Sequence, residues 1–260
     1  ELPLKRIRPI TQQTLTRLRN LKLTGMADAV QQQLEQASTY EGLPFIERLS
    51  LLVEHEQLSR EQRKQARLVK QARLKLQATV QEVDYQSARN LERSQVANLA
   101  QGEWLRRGQN LLITGPCGCG KTYLACALGY QACQQGHSTR YYRLPRLLLE
   151  LSQAKVDGSY ARLLGQLARI ELLILDDWGL EAVNAEQRNA LLEIMDDRYG
   201  KYSTVVVSQL PTEEWYASLG DNTLADAILD RLMHNAHRLS LKGESMRKRR
   251  SELTQSEHSS

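Results

Sequence analysis

An octapeptide with the spacing of a phosphate-binding loop, GPCGCGKT, runs from Gly115 to Thr122. The apolar run NLLIT precedes it and the helix-forming run TYLACALGYQACQQ follows it, which is the strand–loop–helix setting that such a loop needs. Glycines let backbone N–H groups turn toward phosphate oxygens, Lys121 adds a positive charge, and the Thr122 hydroxyl suits Mg²⁺. The pattern predicts a nucleoside-triphosphate site. Its expected cofactor-binding residues are Gly115, Pro116, Cys117, Gly118, Cys119, Gly120, Lys121, Thr122 and Tyr123.

Two consecutive acids, Asp176 and Asp177, end the apolar run LLIL. A carboxylate at the carboxyl end of a strand beside the loop is where a loop-bound Mg²⁺ needs a ligand. Four apolar residues lead directly into Asp176, so we expect Asp176 and Thr122 to hold the metal. Asp177 is then the candidate base or positioning group for the attacking water. The alternative is a pair of surface acids in a turn.

Three further places in the chain carry candidates for contact with the γ-phosphate. Ser208 and Gln209 follow the run VVV and could hydrogen-bond the phosphate or the water, although a strand emerging into solvent gives the same pattern. Arg231, near the end of an amphipathic helix, could reach a neighbouring subunit's γ-phosphate, and its alternative is an intrachain ion pair. Arg247 in MRKRR is a weaker candidate. The predicted catalytic set is Lys121, Asp177, Arg231, Ser208 and Gln209.

The four cysteines follow the spacing C-x-C-x₆-C-x₆-C from Cys117 to Cys133. A structural zinc site needs paired ligands with a second pair elsewhere, and this spacing does not supply them. We expect Cys126 and Cys133 to face the core, because free cysteine behaves as a small hydrophobe. Cys117 and Cys119 are expected to occupy loop positions where side chains are free to vary.

Short apolar runs alternate with helical stretches from residue 110 onward, and this alternation predicts an α/β fold with a parallel sheet covered on both faces. The expected strands are 110–114, 139–143, 172–176, 203–208 and 237–241. We expect helices on both sides of this five-stranded parallel sheet and no separate C-terminal lid domain.

The chain before the sheet has the apolar periodicity of helices, which predicts a small all-helical N-terminal domain. Steps of three and four place many cations on connected helix faces between residues 60 and 75, where Glu61 is the one acid. Such an excess of one sign favours contact with nucleic acid, and a solvated helix face is the alternative. The candidate DNA-binding residues are Arg60, Arg63, Lys64, Arg67, Lys70, Arg73 and Lys75.

Composition permits these expectations without proving them. The 260 residues carry 35 Lys and Arg against 30 Asp and Glu, a net charge of +5 that allows an anionic partner. The start, ELPLKRIRPI, lacks the apolar region of a signal peptide, and no apolar run is long enough to span a bilayer. We therefore expect no membrane partner. The four cysteines are clustered and not spread as a disulfide framework, which predicts a reducing, cytoplasmic location.

These motifs together resemble the AAA+ ATPases, and more narrowly the IstB/DnaC-like group of transposition helpers and helicase loaders. The resemblance covers nearly the whole chain and is carried by NLLITGPCGCGKTYLACALG, LLILDDWGL, STVVVSQLP and DRLMHNAHRLSLKGESMR. The N-terminal stretches LKLTGMADAV and FIERLSLLVEHEQLSREQRKQARLVKQAR look like IstB rather than DnaC.

The basic run MRKRR and the polar residues that follow it predict a basic, disordered tail at 246–260. The resemblance implies an AAA+ domain at 96–245 and a helical DNA-binding or oligomerisation domain at 1–95. It implies ATP or ADP with Mg²⁺ bound between subunits, a ring or helical oligomer on bent duplex DNA, and an IstA-type transposase as partner. Lys121 and Thr122 fall at the phosphate-loop pair and Asp176 at the metal acid. Ser208 or Gln209 falls at the first sensor and Arg231 at the arginine finger.

One residue departs from the family pattern, because many AAA+ proteins have Glu where this chain has Asp177. The shorter side chain leaves the hydrolysis rate open. The alternatives are therefore a helicase loader that binds single-stranded DNA, a nucleotide-gated architectural clamp with little turnover, and a small-molecule kinase. The kinase does not account for the basic helical region or for Arg231.

Overall fold

The computed structural model describes residues 2–85, 89–220 and 222–243. By contacts the chain divides into two compact units, with the boundary between Arg67 and Leu68. The described helices are α1 Leu2–Asn20, α2 Thr24–Glu35, α3 Ala37–Tyr40, α4 Phe45–Ala72, α5 Arg93–Ala100, α6 Glu103–Arg106, α7 Lys121–Gln134, α8 Leu144–Asp157, α9 Tyr160–Arg169, α10 Ala185–Arg198, α11 Trp215–Leu219 and α12 Asn222–Met233, with 3₁₀ turns at Val80–Glu82 and Thr212–Glu214.

In the described residues of the first unit, the regular secondary structure consists of helices joined by short turns. Its centre is a buried acid, Glu56 of α4, which accepts the backbone N–H of Met26 at 2.9 Å and the Arg60 side chain at 2.7 Å. A carboxylate at the first turn of α2 is favourable because the helix presents unpaired N–H groups there. This contact ties α2 to α4.

The second unit contains a five-stranded sheet in the described residues, and every neighbouring pair of strands in it is parallel. The strand order is β2-β3-β4-β1-β5. The strands are β1 Asn110–Thr114, β2 Thr139–Arg143, β3 Leu172–Trp178, β4 Ser203–Ser208 and β5 Ala236–Ser240.

The apolar runs of the central strands bury side chains on both faces of the sheet. On β1, Leu111 and Ile113 join a cluster with α5 and α7, whereas Leu112 between them joins a cluster with α8, α10 and α12. Alternate residues of a strand point to opposite faces, so a strand covered on both sides must be apolar throughout. The predicted α/β architecture with helices on both faces is confirmed.

The strand bounds differ from the prediction at two places. β3 continues two residues beyond Asp176 to Trp178, with an irregular register against β4 between Leu175 and Trp178. β5 begins and ends one residue earlier than the predicted 237–241. Within the described part of the chain, no helix combines the length and apolarity needed to cross a membrane.

Part of the chain before β1 packs with the sheet. Ala78, Val83, Val96 and Trp104 belong to the same buried cluster as Leu111. The division between Arg67 and Leu68 places residues 68–95 in the sheet-containing unit. The sequence had instead predicted that these residues belong to the helical N-terminal domain. The roles given to the two regions stay predictions.

Arg198, the last residue of α10, is 1% exposed and joins three segments of the second unit. Its guanidinium donates to the carbonyls of Leu167, Ile170 and Ser203 at 2.7, 2.5 and 2.6 Å and to the Thr204 hydroxyl at 3.1 Å. Burial lowers the pKa of Arg198 to about 9, which still leaves the side chain charged at neutral pH. These bonds satisfy a cation that would otherwise be costly to bury.

We predict that Arg198→Met lowers the free energy of unfolding by about 3 kcal/mol, because three buried carbonyls lose their donor. Urea unfolding followed by tryptophan fluorescence measures the change. Arg238→Met, at an exposed position of β5, is the matched control and should change stability by less than about 0.5 kcal/mol. Equal stabilities of the two variants would contradict the role given to Arg198.

Candidate nucleotide-binding site

The predicted phosphate loop connects β1 to α7 at the carboxyl edge of the sheet. Gly115, Gly118 and Gly120 have φ values of +147°, +81° and +90°, which L side chains rarely adopt. A Cβ on Gly115 would lie 2.5 Å from the carbonyl oxygen of Leu241. The glycine spacing therefore serves both the backbone conformation and the close packing of the loop against the chain that follows β5.

Lys121 is the first residue of α7 and is 7% exposed. Its Nζ donates to the carbonyl of Pro116 at 2.6 Å, so the ammonium reaches back to the start of the loop. The N-terminus of α7 adds the positive end of a helix dipole at the same place. The loop therefore concentrates positive charge and N–H donors where a polyphosphate would bind. Tyr123, in the first turn, donates to Glu82 at 3.3 Å.

Asp176 joins three elements through its carboxylate and is 2% exposed. Its Oδ2 accepts the hydroxyls of Thr122 at 2.8 Å and of Tyr141 at 2.6 Å, and its Oδ1 accepts the backbone N–H of Asp177 at 2.8 Å. Burial, and the hydrogen bond to Asp176, raise the pKa of Tyr141, so this phenol remains a donor. The buried carboxylate is thereby oriented toward the first turn of α7.

The Thr122 hydroxyl and the Asp176 carboxylate fit Mg²⁺ by their chemistry, because this cation prefers oxygen ligands. The two oxygens already lie within 2.8 Å of each other. No group of three or more His, Cys, Asp and Glu suited to a metal occurs among the residues described. Mg²⁺ at this place would therefore take its other ligands from phosphate and water, as is usual for nucleotide-bound Mg²⁺.

Asp177 follows with φ +61°, in the left-handed region, so its side chain turns away from the path of the strand. Its Oδ2 accepts Arg143 Nε at 2.6 Å, and the carboxylate is partly exposed. The hydrogen bond to Asp177 raises the pKa of Arg143. The candidate base is thus held by a cation from the end of β2.

Ser208 and Gln209 lie at the end of β4, and their surroundings differ. The buried Ser208 hydroxyl donates to the Trp178 carbonyl at 2.7 Å and accepts Leu210 N–H at 3.0 Å. Gln209 is exposed. The serine has partners that fix the loop after β3, and the sensor role given to either residue stays a prediction.

Arg231 lies in the last turn of α12 and forms an ion pair within the chain. Its Nε donates to Asp196 Oδ1 at 2.7 Å, and Asp230 lies at 3.5 Å. The hydrogen bond to Asp196 raises the pKa of Arg231. The role of an arginine finger stays a prediction, since it concerns a neighbouring subunit. Arg247 and the tail lie outside the described residues.

The candidate DNA-binding cations are all exposed. Arg60 and Arg63 form ion pairs with Glu56 at 2.7 and 3.5 Å. Glu56 lies just before the basic stretch 60–75. The others form no ion pair within 4.0 Å with any described residue; they are Lys64 and Arg67 in the first unit and Lys70, Arg73 and Lys75 in the second. Most of these candidate DNA-binding cations therefore have no acidic partner among the described residues.

The cysteines confirm one expectation and correct another. Cys126 and Cys133 are fully buried, as predicted, and burial raises the pKa of both thiols. Cys119, expected at a position free to vary, is also fully buried. Its Sγ lies 3.0 Å from where a Cβ on Gly115 would be, so the loop closes around it. Cys117 is exposed.

Two residues of the site, Tyr141 and Arg143 of β2, were not predicted from the sequence. The parallel register pairs Tyr141 with Ile174 and Arg143 with Asp176, which brings both side chains beside the acids of β3. The run TRYYR showed polar residues on a strand, but the sequence does not say that β2 is the neighbour of β3.

The family described as IstB-like ATP binding protein matches residues 16–254. The insertion sequence ATP-binding protein y4pL of Sinorhizobium fredii is 48% identical over 235 residues, which cover 90% of this chain and 96% of that protein. The IS21 ATP-binding protein of Pseudomonas aeruginosa is 36% identical over 230 residues, which cover 88% and 86%.

Solved structures share the fold. The DnaC helicase loader superposes with a TM-score of 0.55 at 20% identity and covers 64% of this chain and 97% of its own. DnaI gives a TM-score of 0.56 at 22% identity, covering 64% and 91%. With the phosphate loop and the strand order, these structures support an AAA+ P-loop fold. The family match and the relatives support an ATP-binding role. The chain belongs to the IstB-like ATP-binding protein family, as the motifs of its sequence indicate.

Proposed function

We propose that this protein is an ATPase that assembles on duplex DNA as a ring or helical oligomer, bends it, and recruits or activates an IstA-type transposase. One observation carries the enzymatic part: Lys121, Thr122, Asp176 and Asp177 lie together at one edge of the sheet, with direct hydrogen bonds from Thr122 to Asp176 and from Asp177 to Asp176. The part concerning transposition rests on relatives that are named insertion sequence ATP-binding proteins.

Each residue of the site has a role in hydrolysis under this proposal. Lys121 and the loop N–H groups bind the β- and γ-phosphates. Thr122 and Asp176 would hold Mg²⁺, which would neutralise charge that develops on the phosphates. Water attacks the γ-phosphorus, the bond to the β–γ bridging oxygen breaks, and ADP leaves. Asp177 accepts the proton of the water. Arg143 orients Asp177 through the 2.6 Å hydrogen bond.

Assembly makes the site complete. Arg231 is partly exposed, and its partners Asp196 and Asp230 are exposed acids. Arg231 can therefore leave them for a neighbour's γ-phosphate without disturbing a buried ion pair. ATP then favours the oligomer because the phosphate contacts both subunits, and hydrolysis removes that contact. ATP is therefore the switch for assembly on DNA.

DNA contact is assigned to the exposed cations of α4 and the residues just after it. Cations without an acidic partner release counterions from duplex DNA most effectively. Single-strand binding of the helicase-loader type remains the alternative, and comparison of duplex with single-stranded DNA in ATP separates the two.

A second candidate function is a nucleotide-gated architectural clamp with little turnover. The Arg143–Asp177 ion pair favours it, because Arg143 Nε occupies one oxygen of the carboxylate that would have to accept the proton of the water. Steady-state phosphate release with duplex DNA distinguishes the two: DNA-stimulated hydrolysis supports the ATPase, and its absence supports the clamp.

We predict that Lys121→Ala weakens ATP binding about 10- to 100-fold and abolishes ATP-dependent assembly, because the phosphates lose a charge-assisted contact. Equilibrium ATP binding, and sedimentation with duplex DNA, measure the two effects. Lys201→Ala, at an exposed turn, is the control and should behave as the unchanged protein. Normal assembly of the Lys121 variant would contradict the site assignment.

We predict that Asp177→Asn preserves ATP-dependent assembly but lowers turnover by about 100-fold or more, because the amide cannot accept the proton of the water. Complexes on DNA should then outlast those of the unchanged protein after free ATP is removed. Glu150→Gln, an exposed acid of α8, controls for the loss of one charge. Rapid disassembly of the Asp177 variant would refute the role of this acid in resetting the complex.

We predict that Arg67→Gln, Lys70→Gln and Arg73→Gln together weaken duplex binding and reduce the salt slope, log Kobs against log[salt], by up to about 2.7. The physical reason is the loss of up to three phosphate contacts. A control with equal charge change is Arg106→Gln, Arg107→Gln and Arg238→Gln, all exposed elsewhere. The same slope change in both triple variants would indicate that these cations lie on a solvated helix face and do not contact DNA.

A further inference from the structure

A buried arginine, Arg89, lies beside the phosphate loop. Its backbone carbonyl accepts the N–H of Lys242 at 2.9 Å, and the Asn90 side chain donates to the Ser240 carbonyl at 3.0 Å. These bonds fix Arg89 at the end of β5, which pairs with β1, the strand that leads into the loop. Arg89 therefore lies at the nucleotide edge of the sheet.

The Arg89 guanidinium contacts the Cys119–Gly120 peptide of the loop. Nη1 donates to the Cys119 carbonyl at 3.1 Å, and Nη2 donates to the backbone carbonyl of Asp84. Nη1 also lies 2.5 Å from where a Cβ on Gly120 would be. The side chain is 5% exposed, so the loop and residue 84 enclose it. Glycine at 120 therefore gives the guanidinium room against the loop.

The charge of Arg89 is not balanced by the described residues. None of their carboxylates lies within 4.0 Å of its guanidinium, and its buried Nε has no hydrogen-bond partner. Arg198 shows the contrast, because every nitrogen of that buried guanidinium donates to a carbonyl or hydroxyl. A buried cation that pairs with no described carboxylate is unfavourable, so Arg89 points to an anion that binds beside the loop.

We propose that Arg89 is a second cation of the phosphate site, within the same chain as Lys121, and that its counter-charge is the polyphosphate of the bound nucleoside triphosphate. This inference rests on the proposed ATP site and adds a residue to it. Arg89 acts on the phosphates across the Cys119–Gly120 peptide and holds residue 84 against the loop. Its effect should grow with the number of phosphates on the ligand.

Competition against a fluorescent ATP analogue on the full chain tests this, with ATP, ADP and inorganic tripolyphosphate as competitors. Arg89→Gln removes the charge, and we expect affinity for ATP and tripolyphosphate to fall at least about tenfold, and more than affinity for ADP. Arg93→Gln is the matched control, because Arg93 is exposed in the neighbouring helix and lies over the Tyr85 ring at 4.9 Å. It should bind all three competitors like the unchanged protein.

Arg89→Lys separates charge from structure, since lysine keeps the charge but cannot bridge two carbonyls in the same way. We expect it to bind tripolyphosphate within about threefold of the unchanged protein. Equal losses in the Lys and Gln variants, or no loss in Arg89→Gln, would overturn the proposal while leaving the ATP site intact. Failure of the unchanged protein to bind ATP would instead overturn the proposed function.

Discussion

The hydrogen bonds of Asp176 are the interaction on which the site depends. One buried carboxylate accepts hydroxyls from the first turn of α7 and from β2, and it also accepts the N–H of the residue that follows it. This arrangement requires β2 and α7 to lie on either side of the end of β3, which the parallel sheet order provides. The sheet therefore positions the loop, the candidate metal ligands and the candidate base as one unit.

Positive charge around this carboxylate is distributed over several elements. Lys121 belongs to α7, Arg143 to β2 and Arg89 to the segment before α5, and each lies against the loop or the acids of β3. Under the proposed function, a bound polyphosphate brings negative charge close to all of these elements. Nucleotide binding can therefore tighten parts of the second unit that are distant in sequence, which is a physical basis for a switch.

Local sequence signals predicted much of this arrangement. Short strand-like runs predicted the bounds of β1, β2 and β4, and the glycine spacing predicted the loop, because both features are encoded by neighbouring residues. The contacts of Tyr141 and Arg143, and the enclosure of Cys119, depend on which strands are neighbours and on the chain after β5. Such pairings join residues far apart in sequence, and periodicity does not report them.

The most direct test of the central claim is electron microscopy of the full chain on duplex DNA with Mg²⁺ and a slowly hydrolysed ATP analogue. We expect a ring or helical oligomer around bent duplex, with Thr122 and Asp176 at the metal and a neighbouring subunit's Arg231 at the γ-phosphate. Monomers on straight DNA, or a nucleotide bound away from the loop between β1 and α7, would contradict it.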